Sequence, residues 1–477
     1  MIGRIRETKE LERIFHSNKA ELVAVYGRRR VGKTYLIDET FSGRFTFRHA
    51  GLSPSEHDAK GLMQAQLNQF YQSLELAGMK PHEKPENWQD AFFLLEKFLE
   101  KKDRGKRQLV FLDELPWMDT PRSGFMRAFE GFWNNWACHR KNLMVIVCGS
   151  ANAWVLNSLI NNHGGLYNRV TYVIKLSPFT LNECEAFFRA GRIGFSRYDM
   201  VQSYMIFGGI PYYLGFIDKG FSLAQNVDRL FFEHDAKLKD EYERLFESVF
   251  VNPEAIRKLV KTIAGRNAGY TRKEIAAKMK ISDGGGLSRN LNALLASNFV
   301  EKYIPFGQGK REEHYKLTDP FCLFYLHFEE YMNGANESFW QQNTTTQPVV
   351  SWRGYAFENV CFNHIPQIKK ALGISGVSTL ASAWSKREDD RAGTQIDLLL
   401  SRKDNVLNMC EMKFYGGDFT VKKDYYKKLL LRQEILSEEV SPKIAVRNTL
   451  ITTFGITENE YRWVFDNVIT MDELFVE

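Results

Sequence analysis

Cysteine is scarce and scattered: Cys138, Cys148, Cys184, Cys322, Cys361 and Cys410 form no CxxC pair. This spacing offers no zinc ligand set and reads as reduced, buried thiols in a cytosol. Long apolar runs are also missing. The longest, such as Leu143–Cys148 and Phe321–Leu326, fall far short of the roughly 18 residues of a membrane span. The start, Met1 to Glu7, is broken by charges and has no apolar stretch of signal-peptide length. The expectation is a cytoplasmic protein with no membrane partner. Charge of one sign is not dominant: 64 Lys and Arg against 58 Asp and Glu leave +6, which permits a polyanion partner without demanding one. No internal repeat or low-complexity tract is visible. What is present is an ordinary globular balance, 44% hydrophobic and 26% charged, over 477 residues. At roughly 100 to 200 residues per domain, that length implies about three domains.

The hydrophobic pattern changes along the chain. Glu21–Tyr26, Leu109–Leu112 and Leu143–Cys148 read as buried strands, separated by helical patterns such as Ala91–Leu99 and Phe125–Ala137. Strands alternating with helices predict a parallel sheet covered on both faces. After Gly208-Gly209-Ile210-Pro211 the pattern is helical to about residue 262. From Gly269 a compact unit follows: a helix with Thr271 as N-cap and Glu274 three residues later, a glycine-rich turn, a helix Leu287–Ser297, and strands at Phe299–Pro305 and Glu313–Leu317. This order describes a winged helix-turn-helix. A polar stretch from Gly334 to Gln347 reads as a linker, and a last unit begins near Trp352.

Gly27-Arg28-Arg29-Arg30-Val31-Gly32-Lys33-Thr34 matches GxxxxGK followed by Thr, after a strand and at the start of a helix. The residue types follow from the task of holding a triphosphate. Glycines let backbone N–H groups approach the phosphates, and the helix N-terminus favours their charge. Lys33 would reach the β and γ oxygens, and the Thr34 hydroxyl would bind Mg²⁺. The strand ending Leu112-Asp113-Glu114 supplies carboxylates, Asp113 for the metal and Glu114 for the attacking water.

With the strand ending Cys148-Gly149-Ser150, these features resemble the AAA+ and STAND-like ATPases of archaea and bacteria. Arg4 and Glu7–Leu11 are similar to that family's N-terminal box. Leu176-Ser177-Pro178-Phe179 and Gly208–Leu214 look like its later signatures, so about residues 1–330 are covered. The resemblance implies ATP and Mg²⁺ as cofactors and places Ser150 at the sensor position, where Asn is more usual. Arg169 is a candidate arginine finger or sensor, with a surface salt-bridge partner as the equal alternative.

The last unit holds a second constellation. Asp397 starts an apolar strand, and Val406–Cys410 leads to Glu411-Met412-Lys413. Side chains alternate on a strand, so Glu411 and Lys413 share a face. Asp397 on a neighbouring strand could bring both carboxylates to one Mg²⁺, with Lys413 beside the water and the phosphate. The pattern resembles the PD-(D/E)XK nucleases, and the resemblance implies that Glu358 is the acidic residue on that fold's first helix. Lys428 and Arg432, on the following helix, could meet a phosphate backbone.

The expected architecture is α/β throughout its two ends: a P-loop NTPase domain with a parallel sheet (1–207), a helical lid segment (208–262), a winged helix-turn-helix (263–333), a linker (334–350) and a restriction-endonuclease-like domain (351–477). In the winged helix, Lys273 and Arg289, with Arg272, Lys278, Lys280, Lys310 and Arg311, provide cations for DNA phosphates. Two functional classes follow. One is an ATP-hydrolysing, DNA-binding enzyme with Mg²⁺-dependent cleavage; the other is an ATP-driven regulatory switch whose last domain only binds a partner. A homo-oligomer is compatible with either.

Overall fold

The computed structural model describes residues 2–53, 61–150, 152–160, 165–166, 168–247, 249–250, 252–386 and 394–477. They form two compact units, residues 1–178 with 247–251 and 292–297, and residues 179–246 with 252–291 and 298–477.

The first unit is built on five strands, β1 (Glu21–Tyr26), β2 (Phe47–Ala50), β3 (Gln108–Asp113), β4 (Leu143–Gly149) and β5 (Tyr172–Lys175), in the order β2-β3-β4-β1-β5. All pairs are parallel. β1, β3 and β4 are buried along their whole length, as expected for runs such as Leu109–Leu112 with helices on both faces. Against the sheet, Trp88, Phe92, Phe125 and Phe129 pack with ring centroids 4.8 to 6.2 Å apart. Because the strands are parallel, the C-terminal ends of β1, β3 and β4 lie at one sheet edge, where ligands bind in open α/β sheets.

The second unit begins with helices. Gly208 ends the helix Arg197–Phe207 in the left-handed region (φ 67°), and Gly209 follows at φ 64°. A Cβ on Gly209 would stand 2.3 Å from the Phe179 carbonyl oxygen, so this turn requires glycine. Further on, β6 (Tyr270–Thr271), β7 (Val300–Tyr303) and β8 (His314–Leu317) make an antiparallel sheet in the order β6-β8-β7, joined through the helices Arg272–Met279 and Gly285–Ala296. The Thr271–Glu274 capping box forms as the spacing predicts. The polar stretch expected as a linker is helical at Phe339–Asn343: Phe339 and Trp340 are buried, and the Asp228 carboxylate accepts the Trp340 N–H at 2.7 Å. Two aromatic anchors outweigh the surrounding amides.

The last sheet has the order β13-β12-β11-β10-β9, from β9 (Thr379–Lys386), β10 (Thr394–Arg402), β11 (Val406–Lys413), β12 (Ala445–Thr452) and β13 (Asn467–Ile469). β9, β10 and β11 are antiparallel neighbours, while β11, β12 and β13 run parallel. The β9–β10 register shifts between Ile396 and Leu399, a bulge that encloses Asp397.

Candidate functional site

At the C-terminal edge of the first sheet, β1 delivers the chain into the phosphate loop. Gly27 has φ 156°, and a Cβ there would meet the Leu176 carbonyl oxygen at 2.1 Å, so no side chain fits. Arg30 (φ 73°) and Gly32 (φ 89°) turn the loop, and Gly32 caps the helix Lys33–Thr40. Arg28 and Val31 are buried, Arg29 and Arg30 half-buried. Lys33 is buried and its ammonium donates to the carbonyl oxygens of Gly27 (3.0 Å) and Arg28 (3.2 Å), neutral partners that leave its charge uncancelled. Arg4 ties this loop to the segment that follows β5, donating to the carbonyls of Val31 (3.2 Å) and Ser177 (2.7 Å).

Thr34 and Asp113 meet: the hydroxyl donates to the carboxylate at 2.8 Å. Burial raises the Asp113 carboxyl above its usual range, against the pull of the Thr34 hydrogen bond. Burial also pushes the neighbouring Cys148 thiol well up, which fits an inert core residue. Glu114 sits in the left-handed region (φ 45°) and is gripped twice by Ser150, from the hydroxyl at 2.5 Å and the N–H at 3.0 Å. Thr34, Asp113, Glu114 and Ser150 thus form one set. Arg169 is exposed, on a turn closed by its N–H bond to Leu166, and the hydrogen bonds of that set among the described residues do not extend to it.

The second constellation is assembled by β10, β11 and the helix Gln347–Asn363. Asp397 and Glu411 each lie one residue beyond the facing pair Leu398–Cys410. Glu411 is enclosed by donors: Lys413 at 2.5 Å, Arg432 at 2.8 Å and the Tyr425 hydroxyl. Burial works to raise its carboxyl, but Lys413 and Arg432 outweigh it and hold it below the usual range. Glu358 accepts a hydrogen bond from the Asn267 amide at 2.5 Å, and Asp397 accepts one from Gln395 at 2.6 Å. Burial, with Asp397 second, raises Glu358 to about 7. Among the described residues no three carboxylate, His or Cys side chains are grouped to hold a metal ion. As placed, then, the second constellation does not fit Mg²⁺, whereas the converging hard oxygens of Thr34 and Asp113 do.

Lys273, Arg289 and Lys428 are exposed. Arg272 is engaged by Asp283 and the Gly284 carbonyl, and Arg432 is spent on Glu411. The sequence reading does not single out Asn267, Lys316 or Tyr425. Asn267 and Lys316 come from a segment about ninety and forty residues before Glu358, and only tertiary structure joins them to it. Lys316 is 6% exposed on β8, with its ammonium 4.3 Å from the Phe362 ring centroid.

Residues 1–217 match the model of an ATPase domain found predominantly in Archaea. An uncharacterised protein of Methanocaldococcus jannaschii is 24% identical over 89% of this chain and 90% of its own length. Among solved structures, a Walker-type ATPase of Pyrococcus abyssi aligns over 68% of this chain and 96% of its own, at 18% identity and a TM-score of 0.47. The ORC2 protein of Aeropyrum pernix aligns over 70% and 94%, at 12% identity and a TM-score of 0.40. The N-terminal domain is an ATPase domain of the P-loop class. No helix among the described residues is long and apolar enough to cross a membrane.

Proposed function

We propose that this ATPase domain drives a DNA-processing activity carried by the second unit, in which a winged helix contacts DNA and a PD-(D/E)XK-like domain cleaves it. At the N-terminal site, Lys33 and the loop N–H groups hold the phosphates, and Thr34 and Asp113 would hold Mg²⁺. When bound, that ion neutralises charge on the β and γ oxygens. Glu114, oriented by Ser150, takes the attacking water's proton.

The observation that carries the nuclease reading is the placement of Asp397 and Glu411 side by side on β10 and β11, with Lys413 two residues along the same strand and Glu358 on the preceding helix. Exposed Lys273 and Arg289 support the DNA contact. The test is a cleavage assay on DNA and RNA forms with Mg²⁺ or Mn²⁺, with and without ATP. Cutting that is lost in Asp397→Ala while ATP hydrolysis persists supports the reading; no cutting on any substrate removes it. The ion pairs around Glu411 favour a second reading, an ATP-driven switch whose last domain is a binding scaffold. In that case Asp397→Ala would change nothing that ATP controls. Self-association is left to a sizing experiment with and without nucleotide.

A further inference from the structure

Beside Asp397 lies a cleft of about 750 Å³, lined among others by Asn267, Asn359, Gln395, Asp397 and Arg432. A segment remote in sequence reaches into this region. Asn267, just before β6, donates to Glu358 at 2.5 Å. Lys316, on β8 of the same three-stranded sheet, rests on Phe362, one turn beyond Glu358 on the same helix. Its ammonium is buried within electrostatic reach of Glu358, Asp397 and Glu301. Among the described residues it has no close ion pair of its own. A buried ammonium is costly unless opposite charge faces it, and these carboxylates supply that charge.

The charges in this region nearly balance. Glu358, Asp397 and Glu411 stand against Lys316, Lys413 and Arg432, and Glu301, exposed on β7, adds a fourth carboxylate toward Lys316 from its own sheet. A divalent cation needs a site that is net negative and whose oxygens are free to turn toward it. Here both conditions are opposed, because one cation of the set is contributed by β8 and one carboxylate oxygen of Glu358 is taken by Asn267. If the ammonium left, the set would carry a larger net negative charge, with Asp397 already lining the cleft.

We propose that Lys316 and Asn267 form a built-in plug that keeps the Glu358–Asp397 carboxylates closed to divalent metal, and that the metal enters when the three-stranded sheet moves away. The plug deepens the nuclease reading by giving it a regulator, and it rests on that reading only for its consequence, not for its test. The occupant that displaces the plug is a divalent cation, and the sheet that carries the plug belongs to the same segment as the candidate DNA-contacting residues.

The experiment is a Mn²⁺ titration of the full chain without nucleotide, followed by electron paramagnetic resonance of the free ion. Lys316→Met should gain a Mn²⁺ site at least about tenfold tighter than any in the parent protein, and adding Asp397→Asn should abolish it. Should Lys316→Met fail to fold, as judged by lost ATP hydrolysis and circular dichroism, Lys316→Gln and Asn267→Ala carry the same expectation. Binding curves that overlay the parent in the folded variants, or a gained site that survives Asp397→Asn, overturn the plug. A gained site in a protein that never cuts keeps the plug and removes the nuclease. Cutting by the parent with unchanged Mn²⁺ binding in the variants does the reverse.

Discussion

The phosphate-loop region and the β10–β11 region both place carboxylates at strand ends, and they neutralise them in opposite ways. Asp113 and Glu114 are held by hydroxyls and N–H groups, from Thr34 and Ser150, while Lys33 is held by backbone carbonyls. Among the described residues Lys33, Asp113 and Glu114 form no ion pair with one another, so this cation and these carboxylates are not spent on each other. Around β10 and β11 the cations are spent on the carboxylates themselves: Lys413 and Arg432 on Glu411, and Lys316 in the field of Glu358 and Asp397. Equivalent residue types therefore keep their charges apart in one region and largely compensate one another in the other. The number of charged residues in a motif does not decide its readiness; the partners they find do.

The largest effect should come from removing the uncancelled charge. Lys33→Ala is expected to lower ATP turnover about a thousandfold, about 4 kcal/mol of transition-state stabilisation, with the fold intact because the lysine's partners are only loop carbonyls. Steady-state hydrolysis checks it, and a loss below tenfold would break the contrast. Next comes the compensated region, where Arg432→Met strips a half-buried carboxylate of a partner at 2.8 Å. Breaking such a pair costs about 3 kcal/mol, read as lost hydrogen-exchange protection in β11. The triple variant Glu411→Gln, Lys413→Met, Arg432→Met should cost clearly less than Lys413→Met with Arg432→Met, since only the latter leaves the Glu411 carboxylate without a cation.

The motifs were legible where chemistry demands short local patterns. Gly27 to Thr34, the Asp113-Glu114 pair and the Thr271–Glu274 capping box are each set by neighbouring residues, and each lies where its spacing requires. The short strands β2 and β5 were not legible, because four residues carry too little periodicity. The pairing of Asp397 with Glu411 follows from two recognisable strands, but the partners of those carboxylates do not. By alternation Lys316 would read as the outward residue between Tyr315 and Leu317, yet all three are buried because β8 is the central strand of its sheet and is covered on both faces. Long-range burial, not local pattern, decides its role.

A smaller effect sharpens the contrast inside the phosphate-loop region. Ser150 grips Glu114 through its hydroxyl and its N–H. Ser150→Ala removes the first bond and keeps the second, so Glu114 stays near its place with less orientation. Turnover should fall about tenfold, about 1.4 kcal/mol, with KM for ATP unchanged and Ser150→Thr close to the parent. Unchanged or faster turnover would show that the hydroxyl does not position the carboxylate for the water.

The smallest effect tests whether the closed region is neutralised by protons as well as by cations. Burial, and secondarily Asp397, raises Glu358 from its ordinary 4.5 to about 7, while Lys316, Lys413 and the Asn267 amide oppose the rise. The folded protein therefore binds more protons at this residue than the unfolded chain does between those values. The stabilisation is fully present below pH 4.5 and is lost as pH rises through 7. Because Lys316 compensates part of the charge, the loss should be on the order of 1 kcal/mol. Glu358→Gln keeps the acceptor oxygen for Asn267 and cannot titrate, so hydrogen-exchange protection of β10 and β11 should fall less between pH 5 and pH 8 than in the parent. Equal slopes in the two proteins would mean that Glu358 is already ionised at pH 5. The β10–β11 region would then owe its closure to Lys316, Lys413 and Arg432 alone.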